Sequence, residues 1–302
     1  MTIRLSENFR ALFYAPFYAA DATRAYSAAG VDVEIVPSPD PAATGQALRA
    51  GTVDVMWGGP LRVLIMAERE PEAGFVCFCN AVERDPFFVI GRQPNSDFAL
   101  AALTTMTLAP VSEVPTPWLC LQQDIRDAGL DPTALHLQTG RSMAENVAAL
   151  SAGSVDAVQL FQPYAEQMLA DGTGHLLFAQ ASRGLTAYTT LVTTRATLAD
   201  RAEELQAMVL AMARTLSWFD QTEAAEIAGV IEPYFPDIDC KLLTACIARY
   251  QALGLWARSP VLDPAGFERL QTSMLSAGVL TRQHSFQSCV DNSLAERVMQ
   301  TG

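Results

Sequence analysis

The sequence predicts an α/β protein made of two lobes, each a mainly parallel sheet flanked by helices. The first observation is a near repeat: RAGTVDVMWGGP at 49–60 and SAGSVDAVQLFQP at 151–163 share Gly, a small polar residue, Val-Asp and a second Val. The second is that a strand-like and then a helix-like segment precedes each stretch, so that each ends a strand, helix, strand unit. Such alternation is typical of parallel sheets covered by helices, and two units predict two lobes.

Coincidence is the alternative explanation of the repeat, because Gly-x-Val-Asp is a common way to leave a helix and enter a strand in any α/β protein. The matching segments upstream argue against coincidence. So do two prolines, Pro60 and Pro163, which in both stretches follow the strand and open the next helix.

The elements of the first lobe follow in chain order. TIRLS at 2–6 and GVDVEIV at 30–36 read as strands, and a helix that Pro16 could start lies between them. PAATGQALRAG at 41–51 reads as a short helix ended by glycine, after which Val-Asp begins a buried strand.

The second lobe repeats this plan. TTMTLAP at 104–110 is a predicted strand that leads into the helix TPWLCLQQDIRDAG at 116–129. TALHLQ at 133–138 is the next strand, and MAENVAALSAG at 143–153 is a helix with a terminal glycine.

The remaining chain returns to the first lobe. YTTLVTT at 188–194 reads as a strand, and from residue 198 onward the chain is mostly helical, with segments at 203–219, 239–254 and 263–278. We therefore assign residues 1–92 and 187–302 to lobe 1, and residues 93–186 to lobe 2.

Composition excludes several classes of partner. The chain has 302 residues, half of them apolar, a formal net charge of −13 and 20 basic residues, of which only Lys241 is a lysine. A phosphate backbone would be repelled, so we expect no nucleic acid, and a membrane surface is disfavoured for the same reason. No stretch reaches 18 apolar residues, so no membrane insertion is expected.

The first residues of the sequence do not predict an export leader, because Glu7, Asn8 and Arg10 interrupt their apolar residues. We therefore expect a cytoplasmic protein if the chain is complete as given, and a periplasmic one if a leader was removed. The six cysteines have no disulfide spacing, which favours a reducing compartment weakly.

Open α/β sheets bind ligands at the carboxyl ends of their strands, where the next helices begin. Two lobes place two such crevices face to face. The loops expected to line the cleft lie at 8–14, 37–40 and 57–60 in lobe 1, and at 109–116, 139–142 and 160–163 in lobe 2.

Aromatic residues in these loops provide flat apolar walls for a ligand. They are Phe9, Phe13, Tyr14, Trp57 and Phe161. For Trp57 and Phe161, packing beneath the loop is the structural alternative to ligand contact.

Polar groups in the same loops suit a polar or anionic head. Gly58 and Gly59 let backbone amides approach a ligand, and Ser112 and Thr116 stand where a helix begins. Three arginines could pair with a sulfonate or carboxylate, although a solvated side chain is the alternative for each: Arg10, Arg62 and Arg141.

The chain resembles the periplasmic substrate-binding proteins for sulfonates, nitrate, taurine and aminopyrimidines, a family that includes the fungal pyrimidine synthase. The resemblance covers nearly the whole chain. It rests on ENFRALFYAPFYAA, AAGVDVEIVPSPDP, ALRAGTVDVMWGG, ERDPFFVIGR, DIRDAGLDP, LSAGSVDAVQLFQP and the LGLW of the helical tail. It implies a type 2 periplasmic-binding-protein-like fold whose lobes close on a small molecule delivered to an ABC transporter.

This resemblance and the loops together give the candidate ligand-binding residues. They are Asn8, Phe9, Phe13, Tyr14, Ser38, Trp57, Gly58, Ser112, Thr116, Phe161, Gln162 and Tyr188.

Two departures from the family pattern bear on the ligand. Many relatives carry a histidine where this chain has Tyr14-Ala15, and many carry Glu-Pro where it has Gln162-Pro163. Without the carboxylate, a cationic aminopyrimidine loses its expected partner, so a neutral or anionic ligand is favoured.

Signals of catalysis are weak. Cys77 and Cys79 would point to the same face of a strand, but two thiolates do not make a metal site and no histidine lies nearby. Buried structural cysteines are therefore favoured. The three histidines form no metal-binding spacing, no nucleotide fingerprint occurs, and Lys241, in the helical tail, is the only lysine that a Schiff-base cofactor could use.

The expected function is therefore small-molecule binding in the interlobe cleft, without catalysis, cofactor or metal. We expect a substrate-binding component of an ABC transporter for a sulfonate, carboxylate or small nitrogen heterocycle, with a permease as a possible partner. The alternative is a cytoplasmic enzyme or ligand sensor on the same fold, similar to the pyrimidine synthase.

Overall fold

The structure, a computed structural model, describes residues 2–38 and 41–301. Within them, ten strands form two five-stranded sheets flanked by helices. The strands are β1 (Ile3–Ser6), β2 (Val33–Val36), β3 (Val55–Gly58), β4 (Phe75–Val82), β5 (Phe88–Gly91), β6 (Thr107–Ala109), β7 (His136–Leu137), β8 (Ala157–Leu160), β9 (His175–Ala179) and β10 (Thr189–Thr194).

The α-helices of the first lobe and of the second lobe alternate with these strands, and the later ones form the C-terminal tail. They are α1 (Ala15–Ala22), α2 (Ala25–Ala28), α3 (Pro41–Arg49), α4 (Pro60–Arg69), α5 (Thr116–Asp127), α6 (Met143–Ser151), α7 (Tyr164–Ala170), α8 (Arg195–Asp200), α9 (Ala202–Gln221), α10 (Ala224–Ile231), α11 (Cys240–Ala252), α12 (Pro264–Ser276), α13 (Phe286–Cys289) and α14 (Ser293–Thr301).

The two sheets have the same topology. Their strand orders are β2-β1-β3-β10-β4 and β7-β6-β8-β5-β9. In each, the first three strands pair in parallel, and one strand, β10 or β5, pairs antiparallel with both of its neighbours. The two-lobed α/β prediction is confirmed. The sheets are mixed, and the antiparallel strand of each is the one that arrives from the other lobe.

The repeated glycines end the helices that precede the repeated strands. Gly51 has φ +68° and Gly153 has φ +75°, a left-handed conformation that favours glycine. Their amides donate to the carbonyl oxygens of Leu48 and Leu150 at 3.1 and 3.0 Å. Each glycine therefore turns the chain out of a helix and toward the sheet.

The repeated aspartates hold neighbouring strands together. The Asp54 carboxylate accepts a hydrogen bond from the amide of Arg4, one residue into β1, at 2.8 Å. The Asp156 carboxylate accepts one from the amide of Thr107, which begins β6, at 3.0 Å. In each lobe, the aspartate of the Val-Asp repeat therefore joins two parallel strands by the same kind of hydrogen bond.

Two crossing segments, 83–87 and 180–188, connect the lobes. The first runs from β4 to β5 and the second from β9 to β10. Strand β5 pairs with β8 and β9, so it belongs to the second sheet, although the predicted lobe 1 extended through residue 92. Sheet membership therefore moves the first crossing to residues 83–87.

Some predicted strands are shorter in the structure. The strand predicted at 104–110 is limited to residues 107–109, because residues 100–105 form a 3-10 helix. The strand predicted at 133–138 is limited to residues 136–137 and follows a 3-10 turn at 132–134.

The predicted orientation of Cys77 and Cys79 is wrong. The pairing of β4 with β10 skips Phe78 between Leu191 and Val192, and this irregularity rotates the strand. Cys77 packs beside Val192, whereas Cys79 packs in the other core beside Leu191. Both thiols are buried, and burial raises the pKa of Cys77 to about 12.

The tail contacts both lobes. Helix α11 packs on α7 and helix α12 on α5, although the tail follows the return to the first sheet. Arg249 of α11 forms an ion pair with Glu166 of α7. The Tyr250 hydroxyl donates to the Pro86 carbonyl at 3.1 Å and accepts from the amide of Gln162 at 3.2 Å. Tyr250 of the tail therefore bridges lobe 2 and the first crossing segment.

Candidate ligand-binding cleft

A cavity of about 110 Å³ lies between the lobes at the carboxyl ends of their strands. Its volume is below the roughly 300–1,000 Å³ of pockets for drug-sized molecules, so a small ligand fits this closed arrangement. The lining residues are Asn8, Phe9, Phe13, Tyr14, Gly59, Leu61, Arg62, Glu113, Val114, Pro115, Thr116 and Tyr188.

The wall from lobe 1 is a cluster of packed aromatic rings. Phe13 lies 4.2 Å from Tyr14 between ring centroids, and it meets Tyr188 and Phe161 edge to face at 5.9 and 5.6 Å. Phe13 and Tyr14 are 1% and 2% exposed, so their rings are held by packing on most sides. This wall is preformed and offers an apolar surface to a ligand.

Polar side chains lie beside that wall in a hydrogen-bonded series. The Arg62 guanidinium donates through Nη2 to the Asn8 amide oxygen at 3.5 Å, and the Asn8 amide nitrogen donates to the Tyr14 hydroxyl at 3.2 Å. Burial raises the pKa of Tyr14, so its hydroxyl stays protonated at neutral pH. Arg62 brings a positive charge to the cavity.

The wall from lobe 2 is the loop before α5 and the first residue of that helix. No side chain caps α5, which starts at Thr116 after Pro115. Pro115 and Pro117 have no amide hydrogen, so the amides of Thr116 and Trp118 and the Thr116 hydroxyl form a polar end with partial positive charge. No hydrogen-bond partner for that hydroxyl is found within residues 2–38 and 41–301.

Gly59 lets the two lobes approach each other. A Cβ atom at this position would lie 3.2 Å from the carbonyl oxygen of Tyr188 and 4.0 Å from the Thr116 hydroxyl. The start of α4, the second crossing segment and the start of α5 therefore converge at a residue with no side chain.

The structure places half of the twelve predicted residues along the cavity. Asn8, Phe9, Phe13, Tyr14, Thr116 and Tyr188 line it. Trp57 is fully buried and stacks on Phe17 with centroids 4.8 Å apart, and Phe161 supports the wall through Phe13. Gly58 lies near Asn8, below the lining.

The other predicted polar residues lie outside the lining. The Ser112 hydroxyl accepts a hydrogen bond from the amide of Gly140 at 3.0 Å, and Ser38 is half-buried outside the cavity. Residues 39 and 40 of the predicted loop 37–40 lie outside the described residues. Gln162 is buried, and its side-chain oxygen accepts from the amide of Glu166 at 2.8 Å.

Glu113 lines the cavity but was not predicted, because the prediction rested on loop aromatics, hydroxyls and arginines. The Glu113 carboxylate accepts from the amide of Met143, the first residue of α6, at 3.1 and 3.2 Å. Its position, three residues before the predicted helix start at residue 116, was the signal in the sequence that could have identified Glu113.

Of the three arginines considered, Arg62 lines the cavity, whereas Arg10 pairs with Glu7 and Arg141 donates to Gln138.

The described residues contain no group of three or more His, Cys, Asp or Glu side chains placed to hold a metal ion. Among them, no helix combines the length and the apolar character needed to cross a membrane.

Comparisons with known proteins find the same fold. The chain is 23% identical to YtlA of Bacillus subtilis, named as a binding protein, over 98% of this chain and 89% of that one. The alkanesulfonate-binding protein SsuA from Xanthomonas axonopodis pv. citri, solved with bound MOPS, has a TM-score of 0.71 at 16% identity, covering 97% of this chain and 98% of that one.

An enzyme shares the fold as well. A structure of the desulfurization enzyme DSZB, solved with biphenyl-2-sulfinic acid, has a TM-score of 0.73 at 13% identity and covers 100% of this chain and 99% of that one.

The family model for the periplasmic substrate-binding protein of phosphonate ABC transporters matches residues 22–233, more than half of the chain. The chain therefore belongs to this family of ABC transporter substrate-binding proteins.

Proposed function

We propose that this protein binds a small organic oxyanion, a phosphonate or sulfonate, between its lobes and presents it to the permease of an ABC importer. One observation carries the proposal: Arg62 of lobe 1 and the uncapped start of α5 in lobe 2 line the same cavity. A guanidinium and a helix N-terminus both favour an anion, and together they approach it from opposite lobes.

The aromatic wall accounts for the organic part of the ligand. Phe9, Phe13 and Tyr188 present ring surface beside the polar groups, so a short apolar substituent can pack there while the oxyanion meets Arg62. The lining carboxylate, Glu113, is engaged by the amide of Met143. The arrangement therefore favours an anion over a cationic heterocycle.

Binding to both walls favours the closed arrangement of the lobes. A ligand shifts a conformational equilibrium by its difference in affinity for the two states, and contacts from lobe 2 exist only when the cleft is closed. A permease can distinguish the closed form from the open form. On this proposal the protein works in the periplasm, the location in the family's description.

Catalysis is the second candidate, because DSZB has the same fold. Among the described lining residues there is no cysteine, and burial raises the pKa of Tyr14 and Tyr188. Protonated tyrosines are poor nucleophiles at neutral pH, which supports binding over group transfer.

A thermal-shift screen tests the proposal. Methylphosphonate, ethanesulfonate and MOPS are compared with propionate and a neutral aminopyrimidine, and hits are recovered for mass spectrometry. A ligand at 100 times its Kd adds about 2.7 kcal/mol of stability. We expect the oxyanions to stabilise the protein, to be recovered unchanged, and to bind more weakly to Arg62→Met. Stabilisation by the aminopyrimidine alone, no stabilisation by any oxyanion, or recovery of an altered compound would contradict the proposal.

A further inference from the structure

A second cavity, of about 490 Å³, lies behind the aromatic wall. It shares no lining residue with the cleft. Trp256, which lines it, donates its indole N–H to the carbonyl oxygen of Phe13 at 2.9 Å, so a lining residue of this cavity contacts a lining residue of the cleft. We call this cavity the back pocket and define it by Glu83, Arg84, Phe219, Asp220, Trp256 and Arg258.

Two acids and two bases line the back pocket. Glu83 and Arg84 come from the first crossing segment, Asp220 from the end of α9, and Arg258 from the loop after α11. Asp220 and Arg258 form an ion pair at 3.0 Å at the rim, where their side chains are 45% and 81% exposed. Such an exposed pair is weak and can open for a ligand.

The two inner charges have unused hydrogen-bonding capacity. The Nε of Arg84 is buried without an acceptor, and its Nη1 reaches the carbonyl oxygen of Ala181 only at 3.4 Å. Glu83 is half-buried, and its carboxylate has no hydrogen bond in the part of the chain that the structure describes. Burying the Arg84 Nε without an acceptor is costly, so a ligand that supplies an acceptor there is stabilised.

The floor of the back pocket is apolar and rigid. Phe219 and Trp256 are 2% and 7% exposed, and their rings meet nearly edge to face at 4.9 Å between centroids. Because the indole N–H is already bonded to Phe13, the ring face of Trp256 offers only apolar contact. This floor suits an apolar side chain.

We propose that the back pocket is a second ligand site, which binds an α-amino acid with an apolar side chain. The lining charges sum to zero, so a ligand with a single charge would leave one sign unpaired. A zwitterion places its carboxylate at Arg84 and Arg258 and its ammonium at Glu83 and Asp220. The volume lies within the range of known small-molecule pockets. This site is distinct from the oxyanion cleft and does not depend on that function.

The experiment measures binding of L-phenylalanine and L-leucine to the full chain by calorimetry and thermal shift. Two analogues of phenylalanine each lack one charge: 2-phenylethylamine lacks the carboxylate and 3-phenylpropanoate lacks the ammonium. We expect both amino acids to bind and each analogue to bind at least about tenfold more weakly, since each loses a charge-assisted contact. No binding of either amino acid, or equal binding of an analogue, overturns the proposal.

Variants locate the site. Arg84→Ala and Glu83→Gln should each weaken amino-acid binding about tenfold or more. Arg258→Ala, at an exposed side chain, gives the same test if Arg84→Ala does not fold. Arg214→Ala removes an exposed arginine of α9 outside the pocket and is the matched control. Thr116→Val separates the sites: if it abolishes amino-acid binding while Arg84→Ala and Arg258→Ala do not, the ligand occupies the cleft and the proposal is wrong.

Discussion

The two lobes meet the cleft at the ends of equivalent strands, β1 and β6, but offer different chemistry there. Asp54 and Asp156 each join a repeated strand to its parallel neighbour. After β1, lobe 1 builds a packed aromatic wall around Phe13, whereas after β6, lobe 2 contributes the polar start of α5 at Thr116. The repeated residues build the sheets, and the residues that are not repeated build the site.

This difference assigns separate tasks to the two walls. The wall from lobe 1 is part of the hydrophobic core, so changes there affect folding as well as binding. The wall from lobe 2 buries little apolar surface, so we expect substitutions there to affect ligand binding and not folding. Four substitutions sharpen or break this comparison.

The largest effect is expected where the lobes are joined. Arg183 is 4% exposed at its side chain and pairs with Asp85 and Asp124, which are also buried. Arg183→Ala leaves the Asp85 carboxylate buried without its cation and should lower the free energy of unfolding by about 3–5 kcal/mol. Denaturant unfolding measures it. Asp85→Asn, which leaves Arg183 paired with Asp124, should cost much less, and equal losses would refute this account.

The second effect concerns the wall from lobe 1. Phe13→Leu keeps an apolar side chain, although a smaller one, and removes ring contacts with Tyr14, Phe161 and Tyr188. It should lower the free energy of unfolding by about 1–2 kcal/mol and weaken ligand binding. Val114→Ala, in the wall from lobe 2, is the comparison and should cost less than about 0.5 kcal/mol. The distinction between the walls fails if the two losses are the same.

The third effect concerns the wall from lobe 2. Thr116→Val keeps the shape of the side chain but removes its hydroxyl, and should weaken oxyanion binding about tenfold, the equivalent of one hydrogen bond. The free energy of unfolding should stay within about 0.5 kcal/mol of the wild type. Calorimetry and unfolding are measured on the same preparation. A loss of stability with unchanged affinity would reverse the tasks assigned here.

The smallest effect appears in acid. The amide of Thr107, and then the Arg92 guanidinium, hold the pKa of Asp156 below its usual range. The stability that this carboxylate contributes is present above its unfolded pKa of about 4 and is lost as the pH falls through the lower folded value. The melting temperature of Asp156→Asn should therefore fall less than that of the wild type between about pH 5 and pH 3. Asp97→Asn, at an exposed position, should behave like the wild type.

Local patterns in the sequence predict much of the fold, because helix-ending glycines and alternating strands depend on near neighbours. Gly51 and Gly153 adopt the left-handed conformation that their positions indicated. The orientation of Cys79 was missed, because the irregular pairing arises between β4 and β10, which are distant in sequence.

The site was predictable as a set of loops and less so as a set of side chains. Loop position placed Phe13 and Thr116 along the cavity. It did not reveal that Trp57 turns inward, because that follows from stacking on Phe17, a contact between separate elements. Ligand contact by the candidate residues remains a prediction for the binding experiments.

The position of β10 between β3 and β4 sets an order of events during synthesis. All strands of the second sheet lie between Phe88 and Ala179, so they can pair once that continuous segment has left the ribosome. In the first sheet, β3 and β4 each keep an open edge until residues 189–194 emerge. The lobe that is translated first is therefore completed last, and until then its open edges expose the nascent chain to edge-to-edge association.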